Sequence, residues 1–171
     1  MRRLRTRLST DVASALDLHP GERALAWANG PSGEWYVGTD LAIHLPAQHG
    51  YRRLGWEDVE RAEWHHDSDK LAIVEVADWG EPERTTVVEV TEPGRLLELL
   101  RERVTKSVVC TVYSRVRGKA GLSVVGRRSP SGRGPTTWSY VLSVGLDPAD
   151  PQVEEVAARA LADARHELED L

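Results

Sequence analysis

The chain has 171 residues, of which 40% are hydrophobic and 29% charged, with a formal net charge of −5. That length can bury a core without covalent staples, and one cysteine excludes both an intrachain disulfide and a cysteine-rich zinc site. No apolar run approaches the ~20 residues of a membrane-crossing helix. The basic start at residues 1–7 is followed by no apolar segment, so a cytoplasmic protein is expected.

Ser9 or Thr10 is placed to cap a short helix over 11–16, which Pro20-Gly21 ends. Residues 23–28 read as a first strand and 29–33 as a turn. An aromatic and β-branched run over 35–45, broken at Thr39-Asp40, predicts two short strands folded on each other. A polar loop over 46–50 follows, and then Trp56 and Val59 offer apolar faces to a core. Strands are predicted over 59–64, 71–76 and 85–90, joined by polar turns at 65–69 and 78–83. Five to seven strands so closely spaced indicate an antiparallel sheet or small barrel.

Leu96, Leu97, Leu100 and Val104 then recur at helical spacing, predicting a helix over 92–104 with Thr91 as its cap and Pro93 in its first turn. Three more strands follow, over 108–116, 122–128 and 137–144, with a loop at 129–135. Asp150 and Pro151 open a terminal helix. Its stripe of Val153, Val156, Ala157, Ala160, Leu161, Ala164 and Leu168 predicts close packing on a sheet, with a dimer contact as the alternative. The expected class is α+β in a single domain over 1–171: a helix and turn over 8–21, a strand-and-helix unit over 22–105, and a βββα extension over 106–171.

Charge is distributed unevenly. Between Trp56 and Glu92 acids far outnumber bases, whereas residues 111–144 hold no acid and carry Arg115, Arg117, Lys119, Arg127, Arg128 and Arg133. Guanidinium groups and free backbone N–H groups suit a phosphate or carboxylate, which makes Arg127, Arg128 and Arg133, with Arg115 and Arg117, the candidate binding surface. Trp79 sits in a turn and is the tryptophan expected to be exposed for contact with a partner. The other five, in a chain without phenylalanine, are expected to fill the core.

His65, His66 and Asp67 form the nearest approach to a metal-ligand cluster, but neighbouring strand residues point to opposite faces. Glu57, Asp58, Glu60 and Glu63 read as a solvated face, because nothing sets two of them in contrasting environments. No phosphate-binding loop, dinucleotide fingerprint, nucleophile elbow or zinc-helix motif occurs. Nucleic-acid binding is set aside because the chain is acidic and has no reading motif. Cys110, in an apolar run, reads as a small core residue.

The order Gly33-x-Trp35-Tyr36-Val37-x-Thr39-Asp40-Leu41, followed by Trp56-Glu57-Asp58-Val59-x-x-Ala62, resembles the strand–turn–strand and W-E-D-I segments of bacterial PH-like and GRAM-type domains. It is also similar to a group of proteins from high-GC bacteria, and abundant arginine fits such a genome. The resemblance covers roughly residues 22–105 and implies a strongly bent antiparallel sheet closed at one end by a helix. PH domains often bind phosphoinositides through basic residues around the first strand–strand loop. Here that loop, 29–34, holds none, so this activity is not carried over. The expectation is a non-catalytic binding or scaffold protein without a cofactor or metal, contacting a protein partner or itself. Two alternatives stand beside it: an anion- or acidic-lipid-binding module using the Arg115–Arg133 region, and a metal-dependent enzyme at His65, His66 and Asp67.

Overall fold

In the computed structural model, which describes residues 7–169, ten antiparallel strands form three sheets with three helices. A short helix α1 (Thr10–Ala15) leads into β1 (Ala24–Asn29), β2 (Trp35–Thr39), β3 (Ala42–Pro46) and β4 (Tyr51–Gly55), a four-stranded meander in sequence order. A second sheet holds β5 (Val59–His65), β6 (Lys70–Glu75) and β7 (Thr85–Glu89). Helix α2 (Gly94–Ser107) leads to a third sheet, ordered β10 (Thr137–Leu142), β9 (Ala120–Arg127), β8 (Val108–Arg117), and helix α3 (Pro151–Glu169) ends the described chain. The expected α+β layout, with a capping helix and a βββα extension, is what the chain adopts.

The expected loop over 46–50 is followed by a strand that the sequence did not announce, β4, over residues 51–55. Its pattern Tyr51-Arg52-Arg53 carries no helical or alternating apolar signal. Pairing with β3 makes it a strand, Ile43 lying opposite Leu54 and His44 opposite Arg53. Helix α2 starts two residues later than predicted and runs three further. Thr91 does not cap it, since its N–H is donated to Asn29 O (3.0 Å) and Pro93 occupies the cap position. Asp150 does cap α3, its Oδ1 accepting from Gln152 N at 2.9 Å.

The first core lies between the first two sheets and α2. Trp56, Ile43, Leu71, Ile73, Val90 and Leu96 are fully covered in it. Trp56 alone removes about 150–250 Å² from water, and its indole N–H donates to Thr39 O at 3.1 Å, so no polar atom is left orphaned. Helix α2 approaches the first sheet closely at Gly38: a Cβ there would stand 2.7 Å from Leu99 and 3.0 Å from Leu96. Glycine is what lets the leucine stripe seat on β2.

The second core is built from β8, β9 and β10 against α3. Val153, Ala157, Ala160 and Ala164 are buried against Cys110, Leu122 and Val124. The small alanines bring the helix axis close to the sheet, as the stripe predicted. Cys110 Sγ contacts Ala164 O at 3.9 Å, and burial pushes its thiol pKa up, which keeps it protonated and inert.

Candidate functional site

The six residues singled out in the sequence do not converge. Arg127, at the end of β9, is 5% exposed and turned inward. Its guanidinium donates to Glu60 O (2.9 Å), Ser107 Oγ (3.1 Å) and Val104 O (3.3 Å), with the Glu60 carboxylate 3.7 Å away. It ties β9 to the end of α2 and the start of β5. Burial pulls its pKa below the usual arginine value, and Glu60 partly offsets that.

Arg128 is half-buried, donating its N–H to Ser107 O (2.8 Å) and its guanidinium to Thr136 Oγ1 (3.2 Å). Arg133 is exposed in the following loop, where hydrogen bonds among Ser129, Ser131 and Gly132 hold the turn. Arg117 is at the other end of the β8–β9 hairpin, roughly 20 Å of strand away, and binds Asp150 Oδ2 at 2.6 Å. Arg115 is exposed on β8. Guanidinium groups so separated do not make one anion cradle.

Trp79 is half-buried, not exposed as expected. Its ring meets Tyr140 of β10 edge-on, with centroids 4.8 Å apart and planes at 74°. The loop carrying it reaches across to the third sheet, and a cleft of ≈ 320 Å³ between that loop and β10 includes Glu60, Ser139 and Pro148. Thr137 Oγ1 donates to Asp58 Oδ1 across the same junction at 3.5 Å. The hydroxyl of Ser139, buried there, has no partner among the described atoms.

His66 and Asp67 lie in a one-turn 3-10 helix and His65 is exposed beside Glu63 at 3.9 Å. Among the described residues, no three His, Cys, Asp or Glu side chains gather closely enough to hold a metal ion.

Two features went unread in the sequence. The first is a buried polar network. Glu22, its side chain fully covered, accepts from Thr39 Oγ1 (2.5 Å), His19 N (2.9 Å) and Arg53 (3.3 Å), and lies 3.4 Å from His44 Nε2. Burial alone would raise the Glu22 pKa. The hydrogen bonds from Thr39 and His19 and the Arg53 charge outweigh it and hold the carboxyl low. Burial lowers the pKa of His44 and keeps it neutral despite Glu22, and its Nδ1 has no partner among the described residues. A histidine inside the apolar strand Ala42-Ile43-His44-Leu45 was the available signal, but its acid comes from a segment 22 residues earlier. No solvent reaches either side chain, so this network holds the fold and offers nothing to a substrate.

The second is a groove of ≈ 510 Å³ along β1, lined by Leu25 to Asn29 on one wall and by Thr91, Glu92 and Arg95 at the start of α2 on the other. It exists because β1 is the outer strand of its sheet and the chain returns beside it from β7 into α2, pinned by Thr91 N–H on Asn29 O. Leu25 is 37% exposed on the strand wall, and Glu92 and Arg95 are exposed on the helix wall. An apolar floor flanked by one acid and one base is suited to hold an extended, uncharged or mixed-polarity segment. Its lining carries one hydroxyl, Thr91, and one carboxylate, Glu92. Among the described residues, no helix is long and apolar enough to cross a membrane. No family model, curated protein or solved structure matches the chain.

Proposed function

We propose that this is a non-catalytic binding protein whose first half is a PH-like domain, and that a segment of a protein partner or of a second copy docks in the groove along β1. The groove carries the reading: it joins an exposed apolar strand wall to a polar helix start in a volume of ≈ 510 Å³. Four strands, three strands and a closing helix over residues 22–107 agree with the resemblance drawn from Trp35-Tyr36-Val37 and Trp56-Glu57-Asp58. Glu22 and His44, whose pKa values are both lowered, are sealed from solvent and so are out of reach of a substrate.

Selection of displayed random peptides on the purified chain tests this. Enriched peptides are expected to bind the wild type in a fluorescence-polarisation titration and to lose at least about tenfold in affinity on Leu25→Glu, which sets a buried charge against the apolar wall. No enrichment, or peptides indifferent to Leu25→Glu, would refute the assignment.

A further inference from the structure

Strand β8 is the outer strand of the third sheet and ten residues long, yet carries no charge from Val108 to Ser114. Natural sheets usually blunt such an edge with charge, proline or brevity, because its bare N–H and C=O groups are a template for pairing. Here Arg115 and Arg117 come only at the far end. The register with β9 is regular from Cys110 to Arg115, its irregularities confined to the two ends, so the middle of the edge is a straight ladder. Tyr113, 58% exposed, stands on the sheet face away from α3.

We infer that this edge pairs with β8 of a second copy, giving a twofold dimer with one continuous six-stranded sheet. This rests on the binding-protein reading and supplies its partner and a second surface. An antiparallel strand can pair with itself about a twofold axis normal to the sheet. With the axis at Val112, Thr111 faces Tyr113 of the second copy and Arg115 faces Val109, so no like charges oppose each other.

Helix α3 provides the charge complementarity. Gln152 Nε2 donates to Val116 O of β8 (3.4 Å), while Arg165 stands 6.0 Å from the ring of Trp138 on β10. These two contacts fix which flank of α3 overlooks the β8 edge. Positions 152, 156, 159 and 163, three or four apart, line that flank. The twofold axis sets the two α3 helices antiparallel side by side. Arg159 of each, which also holds Glu155 of its own helix at 3.1 Å, then lies beside Asp163 of the other, and half-buried Val156 is covered between them.

Sedimentation velocity on the full chain across a micromolar concentration series tests the pairing. A dimer is expected. The exposed pair T111K/Y113K sets lysines against lysines across the edge and weakens association at least about tenfold, with an unchanged far-UV circular dichroism spectrum. R159E weakens it too, and R159E/D163R restores it. A monomer at every concentration overturns the inference, as does a dimer indifferent to T111K/Y113K. Groove-peptide affinity measured on the wild type and on T111K/Y113K keeps the two readings apart. Peptide binding by a wild type that is monomeric at every concentration removes the β8 pairing alone; a β8-dependent dimer without any groove ligand supports the pairing and removes the groove.

Discussion

Replacing Arg127 by alanine separates a binding arginine from a structural one. Its guanidinium gives hydrogen bonds to two main-chain carbonyls and one hydroxyl and stands beside the half-covered Glu60, all within 3.7 Å. Alanine leaves those acceptors dry and the Glu60 charge without its counter-ion. Breaking a buried pair by removing one partner costs about 3–5 kcal/mol. For a chain of this size that lowers Tm by roughly 6–20 °C. Arg127→Lys keeps the charge but not the fork that reaches three elements at once, so it falls between the two. The assay is thermal unfolding followed by circular dichroism, with hydrogen exchange read at 104–108 and 125–128, where β9 joins α2. A fully folded R127A protein with Tm within about 2 °C of the wild type would refute the clamp, and loss of anion binding without loss of stability would restore the surface reading.

Two carboxylates are predicted to respond to pH with opposite sign. Glu22 has a folded pKa held below its unfolded value, so its stabilisation is present above about pH 4.3 and disappears as pH falls through the lower folded value. Glu22→Gln should be less stable than the wild type at pH 7, with the gap closing below about pH 4. Glu57 has a pKa raised chiefly by burial, and its Oε2 is buried without a partner among the described residues. Folding at neutral pH therefore confines a charge that the unfolded chain solvates, and Glu57→Gln should raise Tm at pH 7 but not below about pH 4. Denaturant titrations at several pH values check both, and a parallel response of the two variants would contradict the assignment. Gly38→Ala forces a Cβ to within 2.7 Å of Leu99 and should cost about 1–3 kcal/mol by lifting α2 from β2, read as a lower midpoint in urea.

Much of the architecture was legible because it is local. β-Branched runs such as Thr85-Thr86-Val87-Val88 and the 3.6-residue stripe of α3 encode their own elements, and Asp150-Pro151 marks a helix start through chemistry confined to one turn. Tyr51-Arg52-Arg53 was opaque because its strand state comes from the partner strand β3, and propensity is a weak prior where a ladder is available. The end of α2 was misjudged for a related reason: Ser107 and Val104 are held in the last turn by Arg127, twenty residues on.

What the sequence by itself determined is every element but β4, the unpaired cysteine, the charge asymmetry and the lack of recognised catalytic motifs. Only the tertiary structure decided the roles of side chains. It turned Arg127 inward, set Trp79 on Tyr140, sealed Glu22 against His44 and opened a groove between β1 and α2. Element type follows from contacts within a few residues, whereas a side chain's solvation and partners depend on segments tens of residues apart. An arginine has the same letter whether it reaches water or three buried oxygens.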